Sequence, residues 1–315
     1  MRFTLRQLKY FVAAGEALSI RQASAKISVS EPSISSAISQ LEAEFGITLF
    51  IRHHAQGLSL TQAGTALLRD AKAFLQHGRE LENAAQELNA GISGQFNVLC
   101  FTALAPFVIP STCHGFKAVH PDVHLRVHEA HQAEILDQLW HGKADIAITY
   151  DLEIPEGLDF TPLTSLPPYA VLSKNHPLAK RKRLTLERLS EEPLVLLDLP
   201  LSKDYFLSLF HRQKLTPNIL SKTQQVDVMR SIVGQGYGYG LANVKPDNAI
   251  TLDGSELVYM PLDGKLPALT LGLLNHASAA RSRLAKLFIE YVNQQLNLGK
   301  LPGIELHQTQ LKRIT

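Results

Sequence analysis

The sequence predicts a mixed fold: an N-terminal all-α winged helix-turn-helix, a long coiled-coil linker helix, and a C-terminal α/β domain. Three observations predict it. The first 46 residues show helical apolar spacing punctuated by capping residues. Residues 61–90 place bulky apolar side chains seven apart. From Gly94 the pattern changes to strands alternating with helices. The length of 315 residues fits this division. With 45% hydrophobic and 19% charged residues there is ample material for a core. The net charge is +2, from 31 basic and 29 acidic residues, so any nucleic-acid surface has to be local. Cys100 and Cys113 are the only cysteines. They are too few for a disulfide framework or a paired CxxC metal site, which suits a reducing cytosol. Arg2, Arg6 and Lys9 interrupt the first apolar stretch, so it does not read as a signal peptide. No run of about eighteen apolar residues occurs, so no membrane partner is expected.

Leu5, Leu8, Phe11 and Val12 give an amphipathic first helix. Ser19 followed by Gln22 matches a capping box and starts a second, through Ala23, Ala25 and Ile27. Ser30 is the N-cap of a third, with Pro32 in its first turn and Gly46 at its end. Its buried stripe is Ile34, Ile38, Leu41 and Phe45. Residues 28–30 join the second and third helices in a helix-turn-helix. Residues 47–60 form two short β-like stretches around a polar tip, a wing. Ser33, Ser35, Ser36, Ser39 and Gln40 lie on the exposed part of the third helix. Singly, each reads as a solvated helix position. As a set beside a turn and a wing, they fit docking into a DNA major groove, where short polar side chains reach phosphates and base edges.

Thr61 caps a helix that runs unbroken to residue 90, about 29 residues or roughly 43 Å. Leu67, Phe74, Leu81 and Leu88 are seven apart, with Ala71, Gly78 and Ala85 between them at the same period. That is a self-pairing seam with one bulky and one small position per heptad. The competing reading is a core stripe against the same chain. Two paired helices would place two winged modules on one DNA.

Beyond Gly94, residues 95–101 read as a strand, 103–121 as a helix, 123–129 as an alternating strand, 133–142 as a helix and 144–150 as a buried strand. This order implies a parallel sheet. A similar set follows through residue 243, and a strand at 269–275 and a helix at 279–296 close the domain.

The chain resembles a LysR-type transcriptional regulator. The resemblance rests on Leu5, Leu8 and Phe11, on residues 23–27, and on Ser30-Glu31-Pro32-Ser33-Ile34-Ser35. It continues through Leu41-Glu42, Phe45-Gly46, Leu49-Phe50-Ile51-Arg52 and Leu60-Thr61-Gln62-Ala63-Gly64. It is close over about sixty residues and looser to about residue 298. It implies a DNA-binding module at 1–60, whose contacts would be Ser30, Glu31, Pro32, Ser33, Ser35, Ser36, Ser39, Gln40, Arg52 and His53. It implies a dimerisation helix at 61–90. It also implies a periplasmic-binding-protein-like (type 2) effector domain at 94–298, with lobe I at 94–162 and 269–298 and lobe II at 167–264. Segments near 161–166 and 265–270 would cross between lobes, and residues 299–315 would be a mobile tail.

The family usually has Gln at the position of Glu31, and Arg or Lys where Ser36 and Ser39 stand. Glu31 would accept a hydrogen bond from cytosine N4, and fewer cations would mean a shallower salt dependence. Residues 1–64 hold six basic residues against four acidic, and His53 and His54 extend this mild basic patch.

In such a domain the ligand sits at the C-terminal ends of the strands. The loops arriving there supply Thr102, Ala103, His131, Tyr150, Leu201, Ser202 and Asn243 as effector contacts. Thr102 and Ser202, at helix starts, are the favoured carboxylate seats, although both also read as simple N-caps. Asn243 stands where the family usually has Pro. No Arg falls in these loops, so a small monocarboxylate or aromatic acid is expected rather than a highly charged ligand.

Other constellations carry less. His124 and His128 face outward on one strand beside Arg126, with no carboxylate cluster for a metal. Gly236, Gly238 and Gly240 follow a helix and precede a strand, the reverse of a dinucleotide loop. No cofactor is expected. The expected function is an effector-controlled, cytoplasmic DNA-binding regulator, a homodimer or homotetramer, with double-stranded DNA and RNA polymerase as partners. The alternatives are a thiol redox sensor using Cys100 and Cys113, and an enzyme fused to a DNA-binding module.

Overall fold

The computed structural model of the chain describes residues 3–53, 57–90, 92–276 and 282–304. His54 and residues 305–315 of the expected tail lie outside the described residues. The chain divides into two compact units, Met1–Asn89 and Ala90–Thr315.

The first unit opens with α1 (Leu5–Ala17), α2 (Ile20–Ile27) and α3 (Glu31–Phe45). A full capping box starts α1, where the Thr4 side chain accepts from the Gln7 N–H and the Gln7 side chain accepts from the Thr4 N–H. At Ser19 only half of the expected box forms: its hydroxyl accepts from the Gln22 N–H. Ser30 caps α3 with Pro32 in the first turn, and Gly46 closes it at φ 66°. Leu8, Phe11, Ile34, Ile38 and Leu41 form the core. Leu5 does not join it and is 49% exposed.

The wing is an antiparallel pair, β1 (Phe50–His53) and β2 (Gly57–Leu60). The Glu42 carboxylate accepts the N–H groups of Leu49 (2.7 Å) and Phe50 (3.2 Å), so α3 itself sets where the wing begins. The Thr61 hydroxyl accepts from the Gly64 N–H and donates to the Thr48 carbonyl. It thereby caps α4 (Gln62–Ala90), a helix of 29 residues. Near its start, α4 packs on this module: Ala71 is in the core and Leu67, Leu68 and Leu75 flank it. A Cβ on Gly15 would sit 2.9 Å from Leu68, so α1 and α4 approach closely. Buried Lys72 (7% exposed) lies 3.1 Å from Glu16, which also takes Lys26 at 2.8 Å.

The second unit has two lobes. In lobe I a five-stranded sheet runs in the order β4-β3-β5-β12-β6. These strands are β3 (Gly94–Phe101), β4 (Val123–Ala130), β5 (Ile146–Tyr150), β6 (Leu158–Leu166) and β12 (Leu269–His276). Strands β3, β4 and β5 are parallel, but β12 runs antiparallel to β5 and β6. The sheet is therefore mixed, not parallel, because β12 re-enters this lobe after the chain has passed through the other. The helix expected at 103–121 is α5 (Ala105–Ile109), a π turn (Pro110–His114) and α6 (Gly115–Val119). Helix α7 (Gln132–Trp140) joins β4 to β5.

Lobe II contains β7 (Tyr169–Ser173), α8 (Leu186–Ser190), β8 (Pro193–Leu197), α9 (Ser202–His211), β9 (Asn218–Thr223), α10 (Val226–Gly234), β10 (Gly240–Ala242) and β11 (Leu257–Pro261). Strand β7 pairs antiparallel with β10 and β11, and β8 pairs parallel with β9. Gly238, at φ 155°, passes so close to the Pro193 carbonyl that a Cβ would collide with it. Helix α11 (Arg283–Asn297) packs Phe288 against Phe96 and Phe116 of lobe I. Residues 299–304 then stay packed on the domain, so the expected tail does not leave at 299. Leu301 and Ile304 are 2% and 3% exposed, and Gly303 abuts Val244 and Lys245.

Candidate functional site

Helix α3 presents Ser30, Glu31, Pro32, Ser33, Ser36, Ser39 and Gln40 to solvent, while Ser35 is half-buried. These side chains are held in place. The Ser30 and Ser33 hydroxyls are 2.7 Å apart. Gln40 accepts from the Gln7 amide at 2.7 Å and donates to Ser36 at 3.5 Å. In the wing, Arg52 donates to Ser35 at 3.4 Å, and the His53 ring meets the Ser59 hydroxyl at 2.8 Å. Helix and wing thus share one exposed polar surface with a cation at its edge. A surface of this kind can donate to phosphates and probe base edges.

The seam residues divide. Leu67 is half-buried against its own module. Phe74 (41% exposed) and Leu81 (73% exposed) line an apolar groove with Phe3, Leu5 and Gly78. The side chain of Leu88 lies outside the described residues.

In the second unit a cleft with about 540 Å³ of empty space, its mouth included, lies between the lobes. Lobe I lends it Phe101, Ala103, Phe107 and Tyr150; lobe II lends Ser202, Phe206, Met229, Arg230 and Asn243, among others. Of the seven expected contacts, Ala103, Tyr150, Ser202 and Asn243 line it, and Thr102, His131 and Leu201 do not. Thr102 stands outside because α5 begins three residues later, at Ala105, and the Thr102 N–H is tied to the Ala130 carbonyl. His131 sits at the N-cap of α7 with its ring 3.7 Å from Glu134. Leu201 takes up a positive φ of 64°, a strained turn that starts α9 at Ser202 with no side-chain cap.

Burial pushes the Tyr150 phenol well above its ordinary range, so it is a neutral wall and donor. Its position is fixed by buried Gln132, whose amide donates to the carbonyls of Tyr150 (3.2 Å) and Leu152 (2.9 Å). Asn243 is 5% exposed and donates to the Leu166 carbonyl (2.9 Å) and to the Tyr205 hydroxyl (3.2 Å). Tyr205 in turn donates to the Pro267 carbonyl at 2.8 Å. Leu166 and Pro267 belong to the two stretches that connect the lobes, so this network ties lobe II to both crossings.

Arg230 was not expected. The loops at strand ends carry no cation, whereas this one is supplied by the face of α10 that carries Val226 and Met229. Contrary to the expectation from those loops, the cleft therefore has an Arg in its wall. Elsewhere, His124 and His128 are exposed on the edge strand β4. No cluster of three metal-ligating side chains occurs among the described residues. Cys100 and Cys113 are both buried. Burial raises both thiols, Cys113 to about 11.

Comparison with known proteins agrees with this architecture. Residues 5–65 match the bacterial regulatory helix-turn-helix protein, lysR family, and residues 89–297 match the LysR substrate binding domain. An uncharacterized HTH-type transcriptional regulator of Escherichia coli K12, YnfL, is 30% identical over 83% of this chain and 88% of its own. The crystal structure of a LysR family regulator from Pseudomonas aeruginosa, HinK, is 35% identical, covers 93% of this chain and 99% of its own, and superposes with a TM-score of 0.62. A second, putative LysR family regulator from Pseudomonas aeruginosa is 34% identical over 94% of this chain and all of its own, with a TM-score of 0.63. With both of its units matched, the chain belongs to the LysR family of DNA-binding transcriptional regulators.

Proposed function

We propose that residues 1–60 read operator DNA, that residues 61–90 pair two protomers, and that a small organic acid bound between the lobes of 94–298 controls the activity. Operator contacts come from Ser30, Glu31, Pro32, Ser33, Ser36, Ser39 and Gln40 on α3 and from Arg52 and His53 in the wing, with Ser35 orienting Arg52. The observation that carries the DNA reading is the single polar surface shared by α3 and the wing, held by the Arg52–Ser35 bond. The effector reading is supported by a cleft that draws walls from both lobes. A ligand that fits one lobe angle better than another shifts the population toward that angle. The long helices would pass this to the DNA and to RNA polymerase. A cytoplasmic site of action suits a DNA-binding protein, and no helix among the described residues is long and apolar enough to cross a membrane.

Selection of DNA from a random pool by the full chain tests the first part. The expected product is a dyad-symmetric sequence, with Glu31→Gln shifting preference from cytosine toward adenine at one position of each half-site. Failure to enrich any sequence refutes it. A thermal-shift screen of small organic acids tests the second. Ser202→Ala weakens hits and Thr102→Val does not. Loss in the Thr102 variant alone places the site elsewhere.

A further inference from the structure

We propose that Arg230 reads the charge of the effector, and that the cleft is built for a monoanion carrying an apolar body. This rests on the cleft being the effector site. Arg230 projects from α10 with only 13% of its side chain exposed. One Nη donates to the carbonyls of Asn248 (3.2 Å) and Ile250 (3.0 Å). The other lies 3.9 Å from Asp227, whose carboxylate is 59% exposed and screened by water. Its Nε–H is buried with no partner among the described residues. The guanidinium charge is thus met by two neutral carbonyls and one distant acid, and one charged donor is left over. A buried cation met by so little countercharge is costly, and an anionic group in the cleft beside it would supply that countercharge. The charge is also felt by Tyr259, a neighbour in the cleft wall, where Arg230 opposes the upward push of burial on the phenol.

Among the described residues lining the cleft, Arg230 is the one charged side chain. A second anionic group would be desolvated there with no cation to meet it. The rest of the wall is mainly apolar, with Phe101, Phe107, Phe206, Met229 and Leu241. A flat or branched apolar body with one carboxylate, or one sulfonate, satisfies both ends. The acid group then lies against lobe II and the body against the aromatic rings.

Calorimetry on the full chain with three probes of similar body tests this: benzoate, neutral benzamide and dianionic phthalate. Wild type should prefer benzoate over both by about tenfold or more. Arg230→Gln should bring benzoate and benzamide to about equal affinity. Arg230→Lys keeps a charge at this position and should keep most of the benzoate preference, which keeps the test decisive if the Arg230→Gln variant misfolds. Equal binding of benzoate and benzamide by wild type overturns the proposal, as does an unchanged ratio in Arg230→Gln or loss of the preference in Arg230→Lys. Binding of none of the three overturns the effector reading itself.

Discussion

The bond network at Asn243 makes a quantitative prediction about how the lobes are joined. Asn243→Ala removes two hydrogen bonds, to the Leu166 carbonyl and the Tyr205 hydroxyl. Tyr205→Phe also removes two, the shared bond and the one to the Pro267 carbonyl. At about 1 kcal/mol per bond each variant should cost about 2 kcal/mol. The double variant removes three bonds, not four, so it should cost about 3 kcal/mol, a coupling of about 1 kcal/mol. Trp140 is the only tryptophan of the chain and sits at the end of α7, so its fluorescence reports on the second unit alone. Urea unfolding followed at Trp140, with a slope of about 3 kcal/mol/M, should show each single variant's midpoint lowered by about 0.7 M. Strictly additive effects, or single shifts near zero, would refute the network as an inter-lobe tie. The same network carries a pH signature. Burial pushes the Tyr205 phenol from 10.0 up to about 12, against a lowering by its bond from Asn243. Its contribution to stability is complete below about pH 10 and is lost as the pH rises through about 12. In Tyr205→Phe that part of the alkaline loss is absent.

Three further predictions concern other parts of the chain. Leu301→Ala or Ile304→Ala should each destabilise the second unit by about 3 kcal/mol by the same fluorescence measurement, whereas a mobile tail from 299 would leave it unchanged. Glu16→Gln strands the buried ammonium of Lys72 and should cost about 3 kcal/mol in calorimetric unfolding of the first unit, while Lys72→Met should be near neutral; equal effects of the two would contradict the ion-pair account. With its thiol raised to about 11 by burial, Cys113 carries almost no thiolate at neutral pH. Native protein should therefore resist iodoacetamide, and Cys113→Ser should leave DNA binding and its response to peroxide as in wild type; a response lost in that variant would restore the thiol-sensor reading.

The N-terminal module was legible in the sequence because its signals are local. Ser30, Pro32 and Gly46 act on their own backbone, and they mark α3 to the residue. The turn at Ser28 is equally local, with φ 54° and its N–H returned to Ser24. Where packing decides, the pattern misleads. Leu5 fits the apolar spacing of α1, yet it faces the groove beside Phe74 and Leu81 rather than the core. Leu67 keeps the heptad register but packs on its own module. Strand β6 escaped an apolar reading because Asp159, Thr161, Pro162, Thr164 and Ser165 interrupt it, and β11 because it is only five residues long and ends in Pro261; both are held by partners distant in sequence. The cleft was half legible. Tyr150, Ser202 and Asn243 lie at strand ends or just beyond, where topology places a ligand. Arg230 and Met229 lie on a helix whose amphipathic pattern says only that one face is covered, not that a cleft rather than a core covers it.

Recognition of a dyad-symmetric operator requires two winged modules acting together through α4. Leu81→Asp tests this most directly, since Leu81 is 73% exposed in the protomer and its replacement leaves the module's own core intact. Sedimentation should show wild type as a dimer or larger and the variant as a monomer. Affinity for the selected dyad-symmetric DNA should fall by about a hundredfold or more, because the second module no longer binds from a high effective concentration. A variant that remains oligomeric and binds undiminished, or a monomeric variant that binds as tightly as wild type, would contradict it.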